Sequence, residues 1–234
     1  MNIPLYKSVI FNRSSANMTF IFAMLIMLGS STSLNAGAEL SERPEMLGQF
    51  RNTYYYVVIE ADYAQYPTDT VLRSMKGNVI AEVSSRFKKA LDIEGTGKLI
   101  NGRIVNYAGR VDKEVRYLFT DAPWGLGVGT CELVPFHTIA VDPSQIPLGS
   151  TVKIEETVGM VLPDGSLHDG IWRADDVGGA IKKDRIDLFT GTGRDGSTTL
   201  SKAGIYHLKP LTLRMIEPPA LDSCVHQKLL DEEL

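Results

Sequence analysis

The chain has 234 residues, with 24 Lys and Arg against 28 Asp and Glu and a net charge of −4. An acidic chain without a basic cluster lacks the phosphate contacts on which nucleic-acid affinity rests, so no nucleic-acid partner is expected. Its two cysteines, Cys131 and Cys224, permit one disulfide connectivity at most, and the length can bury a core without staples.

Residues 1–36 have the layout of a secretory signal peptide. Lys7 and Arg13 come first, without acidic neighbours, and an apolar run from Met18 to Leu28 follows. Small residues and two candidate cleavage sites, Leu34-Asn-Ala36 and Ala36-Gly-Ala38, complete the pattern. The apolar run is about 11 residues, where a membrane-spanning helix needs about 20. The expectation is export to the periplasm or outer envelope, with no stable membrane span after cleavage. Cleavage after Ala36 removes two basic residues and no acidic ones, which takes the net charge from −4 to −6. An oxidising periplasm would permit the Cys131–Cys224 bridge; two unpaired cysteines are the alternative.

Residues 37–52, with Glu39, Glu42, Arg43 and Pro44, read as a polar linker. Residues 53–60 are aromatic and β-branched, which favours a strand, and Pro67, Thr68 and Asp69 offer a turn and a helix cap. Leu72, Met75, Val79, Val83, Phe87 and Leu91 recur at helical spacing and predict one amphipathic helix over about 71–91. Short β-like runs separated by Gly, Pro and Asp then follow, at 99–107, 115–120, 136–141, 151–156, 170–174, 185–190 and 211–216. The fold class is therefore mainly β, a barrel or sandwich with one helix, extending over residues 53–216. Residues 217–234, with Pro218-Pro219, read as a C-terminal tail that is loosely held or forms a short helix.

Three acidic positions stand beside turn or glycine signals. Asp142 lies in Ala140-Val-Asp-Pro143, where a strand ends and its carboxylate can cap the next turn. Asp176 precedes Val177-Gly-Gly-Ala-Ile-Lys182, a stretch in which the backbone can approach a ligand closely. Asp187 falls within a strand, and Ile186 and Leu188 point to the opposite face. If those two enter the core, Asp187 faces outward, where a groove can receive it. A carboxyl that is partly desolvated and near a second carboxylate has a raised pKa and can donate a proton near neutral pH. His137, His168, His207 and His226 lack paired ligand spacing, so no metal site is expected.

Four ordered blocks carry a resemblance: Ala140-Val-Asp-Pro143, Ile146-Pro-Leu-Gly149, Asp176-Val-Gly-Gly-Ala-Ile-Lys182 and Ile186-Asp-Leu188. They resemble the three-aspartate (3D) domain of bacterial cell-wall lytic enzymes, a family that includes membrane-bound lytic transglycosylase A. The resemblance implies a double-psi β-barrel acting on peptidoglycan glycan strands, without metal or cofactor. It makes Asp187 the catalytic acid, with Asp176 and Asp142 shaping its surroundings and holding the sugar. Lys182 can then meet a sugar substituent, and Trp124 and Trp172 can stack on sugar rings, although both tryptophans also suit a core. Where the family often carries glycine after Ala-Ile-Lys, this chain has Lys183, and Asp175 adds a neighbouring charge. The chain is shorter than the large transglycosylase, so no second substrate-gripping domain is expected. The alternative is a non-catalytic glycan-binding barrel of the cell envelope.

Overall fold

A computed structural model describes residues 44–229. The expected signal peptide lies outside these residues. In chain order the first elements are strand β1 (Glu45–Tyr55), β2 (Val58–Ile59), β3 (Thr70–Arg73), β4 (Val79–Val83) and helix α1 (Ser85–Glu94). Strands β5 (Thr96–Lys98), β6 (Ile104–Val111), β7 (Glu114–Thr120), β8 (Thr138–Ala140), β9 (Thr151–Ile154), β10 (Ile171–Asp176) and β11 (Arg185–Phe189) follow. Helix α2 (Gly193–Lys202) and strand β12 (Pro210–Glu217) complete the set. Among the described residues no helix is long and apolar enough to cross a membrane.

Six strands close into a barrel in the order β1-β11-β8-β10-β9-β12, and β12 pairs back onto β1. Two of the pairings, β1 with β11 and β8 with β10, are parallel, and the others are antiparallel. This is the mainly β, closed double-psi barrel that the resemblance implied. Its interior is filled by Ile139, Ile154, Trp172, Ile186, Leu188, Leu211 and Leu213, all fully buried. Period-two alternation places these apolar side chains inside and leaves their strand neighbours, Asp187 among them, on the other face.

Residues 58–120 build a second layer that the sequence reading did not anticipate. Strands β2, β5, β6 and β7 form a four-stranded sheet, and β3 and β4 a hairpin beside it. Val58, Leu72, Phe87, Leu91, Val105 and Tyr117 give this layer its own core. Gly97 on β5 lies directly against α1: a Cβ there would come within 2.9 Å of the Phe87 ring, so only glycine lets helix and strand pack.

The helix expected over about 71–91 is a correction. Only Ser85–Glu94 is helical, and residues 70–73 and 79–83 are the arms of an antiparallel hairpin. Gly77, at φ +85°, turns the chain between the arms. Ser84 then caps α1 by accepting from the Phe87 amide, and Asp69 accepts from the Ser85 amide. Leu72, Val83, Phe87 and Leu91 do share one core, which is why their spacing imitates a helix, but Val79 is 49% exposed.

The linker expected over 37–52 is also revised, because residues 45–52 are barrel strand. Phe50 and Asn52 point inward, and the Asn52 amide donates to the carbonyls of Tyr206 and Lys209. Helix α2 escaped notice because Gly193, Gly196 and a run of Ser and Thr disfavour helix. Thr192 caps it by accepting from the Asp195 amide, and Gly196 allows close approach to Thr190. The C-terminal tail is not loose in its described part. A disulfide joins Cys131 to Cys224 across 93 residues of sequence, and Cys224–His226 form a short 3-10 turn.

Candidate active site

One row of residues crosses four adjacent barrel strands. Thr53 on β1 is in register with Asp187 on β11, Asp187 with Ala140 on β8, and Ala140 with Asp176 on β10. Residues in register share a face of the sheet, so both aspartates emerge on the same side. Their Cα atoms stand two strands apart, about 10 Å. The small side chain of Ala140 leaves the space between them open.

The two carboxylates are held differently. The Thr53 hydroxyl donates to Asp187 Oδ1 at 2.5 Å, and Arg185 Nη2 donates to the same Thr53 oxygen at 3.3 Å. Burial against protein pushes the Asp187 pKa up to about 6, opposed by the Thr53 hydrogen bond and the positive charge of Arg185 and His207. Asp176 accepts from the Tyr55 hydroxyl at 2.7 Å and from the Val177 amide at 2.8 Å. Its pKa rises to about 7, chiefly through desolvation, with the charges of Asp187 and Asp175 adding to the rise. Asp175, the extra acid beside the motif, is buried and paired with Arg173 through contacts of 2.8 and 3.2 Å.

Tyr55→Phe tests the support of Asp176. The change removes a donor from an enclosed carboxylate, so it should cost about 1–3 kcal/mol in urea unfolding and raise the Asp176 pKa further. An unchanged unfolding midpoint would show that Tyr55 does not hold Asp176.

These carboxylates sit at the floor of a cleft of about 860 Å³, also lined by Ala140 from the barrel. The opposite wall is the second layer, with Glu94, Asn106, Tyr107 and Arg110. The Asn106 side chain ties that layer to the loop before β8: its Oδ1 accepts from the Leu126 amide and its Nδ2 donates to the Leu126 carbonyl. The Val128 amide donates to the Asp175 carbonyl at 2.8 Å, and a Cβ at Gly127 would collide with that carbonyl. The cleft is therefore formed by two layers joined through residues 125–128. A larger cavity, about 990 Å³, lies beside the β3–β4 hairpin and contains none of the three motif aspartates.

Glu94 is the acid that sequence reasoning missed. Burial raises its pKa to about 7, against a hydrogen bond from the Tyr56 amide at 3.2 Å, and the charge of Asp187 contributes to the rise. A signal was present: it is an acid at the last position of a helix, where the dipole disfavours negative charge.

The remaining expected residues lie elsewhere. Asp142 does not line the cleft. Its carboxylate is taken up by the Ser144 amide, the Ser144 hydroxyl and, at 2.7 Å, the Lys183 amide, and these bonds hold its pKa below the ordinary value. Asp142 thus fastens the loop that joins β10 to β11. Lys183 stands at φ +59°, a left-handed conformation that explains the glycine usual there. Lys182 is exposed, its charge acts on Asp142, and it does not line the cleft. Trp124 is half-buried with its ring edge-on to Phe189, and it does not line the cleft.

Trp172 is corrected from sugar platform to core. It is fully buried, donates from Nε1 to Thr157 Oγ1 at 3.0 Å and stacks on His168 with ring centroids 4.9 Å apart. His137, His168 and Asp169 converge closely enough to suggest a metal centre. Both ring nitrogens of His168 are already used, however. One meets the Phe136 carbonyl and the other accepts from the Gly170 amide, while burial pushes its pKa down.

Residues 137–208 match the 3D domain, which bears out the resemblance carried by the four motif blocks. No curated protein sequence matches the chain. Among solved structures, it is similar to MltA of E. coli with bound chitohexaose, at 18% identity and a TM-score of 0.51 over 74% of this chain and 72% of that one. This likeness shows the shared fold. A membrane-bound lytic murein transglycosylase from Agrobacterium tumefaciens aligns at 16% identity over 76% of this chain and 69% of that one, with a TM-score of 0.45.

Proposed function

We propose that this chain is an exported lytic transglycosylase that cleaves the β-1,4 bond between N-acetylmuramic acid and N-acetylglucosamine in peptidoglycan. The observation that carries the reading is Asp187, a carboxyl with its pKa raised to about 6 at the floor of a cleft of about 860 Å³. The match of residues 137–208 to the 3D domain and the fold shared with a chitohexaose-binding MltA support it.

Protonated Asp187 donates its proton to the glycosidic oxygen as the bond to the anomeric carbon breaks, and the transition state has oxocarbenium character. The resulting carboxylate accepts the proton of the muramic 6-hydroxyl, whose oxygen closes on the anomeric carbon. The products are a free 4-hydroxyl on N-acetylglucosamine and a 1,6-anhydro sugar, and Asp187 ends protonated as it began. One carboxyl acting first as acid and then as base replaces the two that glycosidases ordinarily use. Thr53 holds Asp187 in place, and Asp176, anchored by Tyr55, presents a second polar group to the sugar across Ala140. The reaction as written draws on no metal or cofactor. Its partner is the glycan strand of the cell wall, met in the periplasm or outer envelope.

The pH dependence follows from the raised pKa. Because Asp187 must begin protonated, kcat/KM should be level at lower pH and fall about tenfold per unit above pH about 6. The test is release of soluble glycan from purified peptidoglycan across that range. Release that rises through pH 6 would remove Asp187 from the acid role. Binding without release at any pH would make the protein a glycan-binding barrel instead.

A further inference from the structure

The segment after the last barrel strand stands at the active cleft. Val225, His226, Gln227, Lys228 and Leu229 line the same cavity as Asp176 and Asp187. Besides the disulfide, Ser223 and Val225 pack on Gly149, and two hydrogen bonds reach the segment from Thr130. The Thr130 amide donates to the Cys224 carbonyl at 3.1 Å, and the Thr130 hydroxyl donates to Gln227 Oε1 at 2.8 Å, both near the surface. The fit against the preceding loop is close: a Cβ on Gly129 would come within 2.7 Å of the Gln227 carbonyl. That loop is in turn fixed to the barrel through the Val128 amide and the Asp175 carbonyl. Cys131 belongs to the loop and Cys224 to the segment, so the bridge joins the two parts of the wall.

We propose that residues 223–229 form a substrate-gripping wall of the cleft, latched by the Cys131–Cys224 disulfide, so that opening the bridge weakens the hold on glycan. The inference rests on the glycan reading above. The side chains of His226, Gln227 and Lys228 are exposed and carry donors suited to sugar hydroxyl and acetamido oxygens. The acid is placed independently of the latch, because Asp187, Thr53 and Ala140 are all positioned by the pairing of barrel strands. An oxidising compartment would close the latch, whereas reductant would leave the segment held by the two Thr130 hydrogen bonds and by its packing against Gly129 and Gly149.

The experiment measures binding of chitohexaose to the full-length Asp187→Asn protein by calorimetry, in three forms. These are the oxidised protein, the same protein after reduction with dithiothreitol, and oxidised protein carrying Gln227→Ala with Lys228→Ala. Reduction and the double substitution are each expected to weaken binding about tenfold, with near-UV circular dichroism unchanged. Equal affinity in all three forms overturns the proposal, as does an oxidised protein that does not bind. If reduction also unfolds the chain, the double variant decides: unchanged affinity overturns the latch-borne wall and weaker affinity supports it. Binding that obeys these expectations while the wild-type protein releases no product would sink the transglycosylase reading and leave this inference standing.

Discussion

Asp187→Asn is expected to lower turnover of peptidoglycan by about 10²–10⁴-fold, the usual worth of general acid–base assistance. The amide matches the carboxyl in shape and still offers an oxygen to the Thr53 hydroxyl, but it neither gives up a proton to the leaving oxygen nor takes one back. A second, opposite effect should accompany the loss. The folded-state pKa of Asp187, about 6, stands above the ordinary 3.8, so its contribution to stability is fully present below about pH 4 and is lost as pH rises through about 6. At pH 8 the native protein holds an ionised, poorly hydrated carboxylate that the amide relieves. The variant should therefore melt at a higher temperature than wild type at pH 8 and at the same temperature at pH 4. An inactive variant that melts lower at both values would have lost its fold, and its inactivity would say nothing about chemistry.

Trp172→Ala should cost about 3–5 kcal/mol of stability, the range for emptying a large aromatic site in a packed core. The side chain is fully buried among barrel residues, and its removal takes away the hydrogen bond that Thr157 Oγ1 accepts and uncovers the face of His168. Urea unfolding should show a lower midpoint with an unchanged slope, while chitohexaose affinity of the folded fraction stays the same. A loss below about 1 kcal/mol together with weaker glycan binding would return Trp172 to the sugar face.

The parts of this molecule that were legible in its sequence are those where local chemistry and the fold agree. The strands around Asp187 and Asp176 show period-two burial, and their turns carry Pro, Gly or Asp where the backbone needs them. Ala140 is readable in retrospect, since only a small side chain leaves room between two carboxylates in register with it. The errors arose where non-local packing decided the outcome. Leu72 and Val83 come from two arms of a hairpin, yet they join Phe87 and Leu91 in one core and so reproduce helical spacing. Residues 45–52 look polar because half of a barrel strand faces solvent. Glu94, Asn106 and the tail residues have no common motif; three distant segments meet at one cleft, and only the tertiary fold brings them together. Asp142 matched a motif without lining the cleft, because its carboxylate serves the Lys183 amide.

The most direct test of the central claim is the mass of the products formed from purified peptidoglycan in water enriched in oxygen-18. If Asp187 returns the muramic 6-hydroxyl proton and no water attacks, the new ends are 1,6-anhydro sugars, lighter than hydrolysis products by one water and free of the label. Reducing ends that carry oxygen-18 would contradict the account, since they require a water-activating carboxylate in addition to Asp187, with Asp176 and Glu94 the first to be substituted.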